Sequence, residues 1–191
     1  MKLILASTSP RRAEILHDAG FSFIVVSSAV DETPFPGESP AAHVQRLADA
    51  KAELVAARTT GPAIVLAADT VVALEGRIFG KPRSTDDARH MLEKLSGRTH
   101  SVLTGVTLVR LPDAERRSFV EITLVQFSQL SPEEITRYLA TGESHDKAGA
   151  YAIQGRAGRY IPRIEGCYFN VVGLPLAHVT EALADLGWSE D

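Results

Sequence analysis

The chain has 191 residues, of which 45% are hydrophobic and 23% charged, and a net charge of -4; that balance excludes disordered and collagen-like classes and argues against a nucleic-acid coat, though not against a small phosphorylated ligand met by a local basic pocket. A single cysteine, Cys167, can close no internal disulfide and fits a reducing compartment. No apolar stretch approaches the roughly 18 residues of a membrane span, and the N-terminal apolar run stops at Ser7, too early for a signal peptide, so a soluble, cytoplasmic protein is expected.

Residues 3–6 read as a buried strand. Ser9 is placed as a helix N-cap with Pro10 at the first helical position, and the helix runs to a stop at Gly20. Residues 21–26 read as a second strand. A loop over residues 30–38 is marked by Pro34, Pro36 and Gly37. Ser39-Pro40 repeats the cap-then-proline signal, and Val44, Leu47, Ala48, Lys51, Leu54 and Val55 follow at helical spacing. Residues 63–74 are dense in Val, Leu and Ala and predict a strand, with Glu75-Gly76 as a tight turn into residues 77–79. Thr85 is read as the cap of a helix that ends near Gly97. Two β-rich segments, residues 101–111 and 119–127, flank a turn at Pro112-Asp113. Ser131-Pro132-Glu133-Glu134 is a capping box. Residues 141–163 are glycine-rich without a period, and Pro175 starts a final amphipathic helix. Strands and helices alternate at first and β segments then run together, which predicts an α/β fold with a mixed sheet. No repeat or linker divides residues 1–191, so one domain is expected.

The first chemical cluster is Ser7-Thr8-Ser9-Pro10-Arg11-Arg12 at a strand-to-helix junction. Helix-start N–H groups, hydroxyls and forked guanidiniums all suit phosphate oxygens; a capped helix with solvated arginines is the plain alternative. The second is Asp69, with Thr70, inside an apolar β segment. A carboxylate there is costly without a partner, which points to cation binding or to positioning and deprotonating a water. Asp31-Glu32, in the proline-rich loop, could ligate Mg²⁺ or Mn²⁺ alongside Asp69, or be a solvated acidic loop. Lys51 interrupts an apolar helical stripe, Lys81 lies in Gly80-Lys81-Pro82, and Lys147 precedes Ala148-Gly149. Each could neutralise a phosphate, although lone lysines are usually solvated. Gln154 offers a donor and an acceptor, the complement of a uracil or thymine edge. P-loop, dinucleotide and His-Glu-x-x-His motifs are absent, and the six histidines show no metal-ligand spacing.

Together these stretches resemble the Maf family, the septum-formation inhibitor Maf-like proteins. The matching segments are Leu5-Ala6-Ser7-Thr8-Ser9-Pro10-Arg11-Arg12, Val30-Asp31-Glu32, Ala68-Asp69-Thr70-Val71-Val72, Gly80-Lys81-Pro82 and Thr104-Gly105-Val106. Two more are Lys147 to Gly155 and Asn170-Val171-Val172-Gly173-Leu174-Pro175. They span nearly the whole chain in the family's order. The resemblance implies an elongated mixed sheet flanked by helices, with two lobes and a central cleft, as in the inosine triphosphate pyrophosphatases. It implies metal-dependent hydrolysis of a nucleoside triphosphate between its α- and β-phosphates, with Asp69 as proton acceptor. Arg12, Thr70 and Gln154 match the branch acting on dTTP and UTP rather than the sister branch acting on 7-methyl-GTP. The expected phosphate contacts are then Ser7, Ser9, Arg11, Arg12, Lys51, Lys81 and Lys147. Glu32 and Asp69 are the expected metal ligands, and a homodimer is the expected assembly. A non-enzymatic division regulator, suggested by the family's septum name, is the reading of a different class.

Overall fold

Leu3, Ile4 and Leu5 are buried on β1 (Lys2–Leu5). The run is apolar because β1 has a parallel neighbour on each side, β2 (Ile24–Val25) and β3 (Ala63–Leu74). Between β1 and β2 lies α1 (Pro10–Asp18), with Ile15 and Leu16 inward. The second strand is shorter than the expected residues 21–26. Only Ile24 and Val25 pair with β1, and both stay exposed. Phe21 turns away to stack on Trp188, with ring centroids 5.1 Å apart.

The computed structural model describes residues 1–189. A seven-stranded sheet runs in the order β2-β1-β3-β5-β6-β7, with β4 (Arg77–Phe79) antiparallel to β3. β5 is Thr99–Leu111, β6 is Glu115–Gln126, and β7 (Arg163–Glu165) is antiparallel to β6. The remaining helices are α2 (Pro40–Ala56), α3 (Thr85–Leu95), α4 (Pro132–Leu139), α5 (Tyr168–Val172) and α6 (Leu176–Asp185). This is the mixed α/β sheet flanked by helices that the sequence predicts. The turn at Glu75-Gly76 has φ of 51° and 76°, the left-handed pair that a tight hairpin requires.

The chain forms two compact units. The first comprises Met1–Asp69, Thr104–Glu121 and Gly173–Asp191, the second Thr70–Leu103 and Ile122–Val172. In the first, Ile4, Ala6, Val65 and Ala67 pack against Ala52 and Val55 of α2 and Val109 of β5. α2 lies close on β5: a β-carbon at Gly105 would overlap the carbonyl of Val44 and come within 2.7 Å of the Gln45 nitrogen. A polar clasp fixes the same approach. Thr107 Oγ1 donates to Asp49 at 2.5 Å, and Gln45 Nε2 donates to Asp49 at 3.0 Å and to Thr107 at 2.9 Å. In the second unit, Leu92, Leu95, Val125, Phe127, Ile135, Leu139 and Tyr151 form the core. The Ser131–Glu134 capping box opens α4 as expected. The cap of α3 is Ser84, one residue before the expected Thr85, because it is the Ser84 hydroxyl that accepts from Asp87 N–H.

Candidate active site

β1 delivers its chain end into the turn ahead of α1, where Ser7 is buried and Thr8 exposed. Ser7, 5% exposed, turns its Oγ inward and accepts from the Ser9 amide at 3.1 Å and from Arg12 Nη1 at 3.2 Å. Arg12 also donates through Nε to the Gly173 carbonyl at 2.8 Å. Its guanidinium is therefore buried and oriented, not solvated. Burial lowers its pKa, and Asp69 and Glu32 oppose that shift through space while Arg11 adds to it. An arginine stays charged under such shifts. Ser9 does occupy the N-cap of α1, but its side chain makes no capping bond there. Its amide is instead turned to Ser7.

α2 supplies the next charge. His43, Val44, Leu47, Ala48, Lys51, Ala52 and Val55 form its buried face, and Lys51 is the one lysine or arginine among them. Its Nζ donates to Asp69 Oδ1 and to Glu32 Oε1, each at 2.6 Å. Asp69, at the end of an all-buried run of β3, is only 8% exposed. The partner its burial demands is thus Lys51. Glu32 reaches the same ammonium from the exposed loop before α2, its side chain half in solvent. Ser7, Arg12, Glu32, Lys51 and Asp69 are brought together in the first unit, with Ser9 and Arg11 on the same turn.

Thr70, Lys81, Lys147 and Gln154 belong to the second unit. Lys81 is exposed beside Gly80, whose carbonyl accepts from the Gly149 amide at 3.1 Å. Lys147 pairs with Asp146. Gln154 is exposed on a turn anchored on both sides. Tyr138 Oη accepts from the Ala152 amide at 3.1 Å, and Glu143 Oε2 accepts from the Arg156 amide at 2.8 Å. The sequence marks Gly173 only as part of a matching segment, and it does not single out Glu38, His43 or Arg46 as site residues. The available signal was a glutamate immediately before the Ser39 cap and a His and Arg one turn apart on the helix.

An arginine tethered at a helix start, beside a lysine held by two carboxylates, gives this small α/β protein a cluster of groups whose chemistry suits phosphate oxygens. Residues 2–186 match the family model described as Maf-like protein, and the chain belongs to that family. It is 52% identical to a dTTP/UTP pyrophosphatase of Moorella thermoacetica, over 97% of this chain and 95% of the relative. It is 48% identical to a dTTP/UTP pyrophosphatase of Syntrophus aciditrophicus, over 97% and 90%. Among solved structures, a nucleoside-triphosphatase, dITP/XTP pyrophosphatase, of Mycobacterium abscessus aligns over 97% of both chains at 18% identity with a TM-score of 0.45.

Proposed function

We propose that the chain is a nucleoside triphosphate pyrophosphatase acting on dTTP and UTP, adding water across the α–β anhydride to give the monophosphate and pyrophosphate. The observation that carries this is the Asp69–Lys51–Glu32 cluster beside Arg12. It holds a carboxylate able to take a proton within reach of cations able to take phosphates. The full-length relatives named for dTTP and UTP support the substrate.

A triphosphate carries about four negative charges, which repel an incoming water. Arg11 and Arg12 offset them by forked donation, and the Ser7 and Ser9 hydroxyls orient the phosphate oxygens. Lys51 adds a further positive charge, and Lys81 and Lys147 are assigned as further phosphate contacts. Asp69 holds the attacking water and accepts its proton, and Lys51 orients the carboxylate by donating to Oδ1. Thr70 and Gln154 are assigned to the pyrimidine base.

A divalent cation, Mg²⁺ or Mn²⁺, belongs to the proposal. Glu32 and Asp69 already converge on one positive charge, and their hard oxygens are the donors such ions take. Among the described residues no group of three or more His, Cys, Asp or Glu is placed to hold a metal. Two carboxylates completed by substrate phosphates is the usual Mg²⁺ arrangement. When bound, the ion supplies charge that polarises the α-phosphoryl group. We further read residues 1–191 as one working domain of a cytoplasmic homodimer, without nucleic-acid or membrane partners. The lone cysteine supports a reducing compartment and the acidic balance argues against a nucleic-acid partner; among the described residues no helix is long and apolar enough to cross a membrane.

Asp69→Asn tests the mechanism. Asparagine keeps a side-chain oxygen for Lys51 but cannot accept the water's proton. Pyrophosphate release should fall by roughly 10²- to 10⁴-fold while the thermal transition stays cooperative. Near-normal turnover by the folded variant refutes the role.

A further inference from the structure

The loop that carries Glu32 has no helix or strand and is exposed along residues 31–37, yet besides the Glu32–Lys51 contact it is tied down around Glu38 and Arg46. Glu38 sits just before the Ser39 cap of α2. Its carboxylate accepts from Arg46 Nε at 2.6 Å, from Arg46 Nη2 at 2.9 Å and from the Phe35 amide at 3.0 Å, with His43 Nδ1 at 2.9 Å. The Glu38 side chain is 7% exposed. Arg46 then reaches back along the loop. Nη2 donates to the Thr33 carbonyl at 3.2 Å, and the guanidinium lies 4.0 Å from the centre of the Phe35 ring. The Thr33 amide in turn donates to Asp31 Oδ1 at 2.9 Å. The two residues that flank Glu32 are thus engaged in a chain of contacts that ends on Arg46.

We propose that Arg46, locked by Glu38, is a positioning residue that fixes the 31–38 loop on α2 and so sets where Glu32 meets Lys51. The inference rests on the reading of Glu32 as part of the catalytic centre. A loop of this length with Pro34, Pro36 and Gly37 has no internal core, so its conformation must be imposed from outside. A planar guanidinium can do this by satisfying a carboxylate bidentately, a backbone carbonyl and an aromatic face at once. The ammonium of a lysine can satisfy only part of that set. Loss of the clamp lowers the population of the competent loop without removing any group that touches substrate. The cost therefore falls on apparent affinity: K rises as the competent fraction falls, and saturating substrate restores the arrangement.

The test combines kinetics with hydrogen exchange on the full chain. Arg46→Ala should raise KM for dTTP by about tenfold if the competent loop falls to about a tenth of molecules, leaving kcat within about twofold. Arg46→Lys should lie between the variant and the parent. Exchange at the Thr33 and Phe35 amides should accelerate in Arg46→Ala, while amides of β3 and β5 keep their protection. In a Glu32→Gln background, Arg46→Ala should add little, because the clamp acts through Glu32. Unchanged exchange at Thr33 and Phe35 overturns the clamp, as does a full, additive KM effect in the Glu32→Gln background. If instead Glu32→Gln alone leaves kinetics untouched while the Arg46→Ala loop loosens, the clamp is real but its catalytic role, and Glu32's place in the centre, both fall.

Discussion

A lysine on the buried face of a helix must have its charge met, and Lys51 is met twice, by Asp69 and by Glu32. The oddity was visible in the sequence as a cation breaking an apolar stripe. Its partners were not, because they lie on a strand and a loop that only folding brings to it. The same is true of Arg12, whose anchor is the carbonyl of Gly173 far along the chain. A second buried group has no place in the proposed chemistry. His100 packs against Phe127 and Tyr151, with Nε2 2.8 Å from Tyr151 Oη. Burial pushes its pKa from 6.5 down to about 4. The native state therefore refuses a proton that the unfolded chain accepts. Stability is fully present above pH 6.5 and is lost as pH falls from there toward 4, by up to about 1.4 kcal/mol per pH unit. His100→Gln can still face Tyr151 but cannot titrate. Urea unfolding at pH 5 and pH 7 should show a smaller drop for the variant than for the parent, and equal drops would contradict the assignment.

Among the elements, α2 organises the first unit. Ser39 caps it, accepting from the Ala42 amide at 3.2 Å, its stripe packs on the sheet, and Lys51 projects from that stripe. Its seat is Gly105, where the strand must have no side chain. Gly105→Ala would push Val44 and Gln45 away and shift Lys51 with them. The expected cost is about 1–3 kcal/mol in chemical denaturation, with activity lost in the same variant. Parent-like stability would mean that α2 can move at little cost. Elements of this length were legible: β3 was read as residues 63–74 and is found there, because a continuous apolar run ends at a Glu-Gly turn. The three-residue β4 was legible only through the turn before it, and other short pieces without such a marker were not. β7 and α5 contain three and five residues, too few to show a period of two or of 3.6. β2 was read too long because Phe21 and Phe23 are strand-like by type, whereas pairing decides membership, and only Ile24 and Val25 pair.

For the whole molecule, the order of motifs along the chain was the most informative signal. Each motif alone has a plain structural explanation, while their order matches a family whose model spans residues 2–186. What that order could not supply is the network that holds the motifs in place, such as the Glu38–Arg46 clamp before α2 or the Tyr138 and Glu143 anchors around Gln154. These depend on side chains meeting across loops; the clamp left only the local trace of a glutamate before the cap and a His and Arg one turn apart, and the anchors left none. The proposed reaction is cleavage of a pyrimidine triphosphate at the α–β bond. The most direct measurement is product identification after incubation of the full chain with dTTP, UTP, the purine triphosphates and 7-methyl-GTP, with Mg²⁺ and with EDTA. The expected result is metal-dependent conversion of dTTP and UTP, ahead of the others, to monophosphate and pyrophosphate. Release of diphosphate and inorganic phosphate, or turnover confined to 7-methyl-GTP, would contradict it.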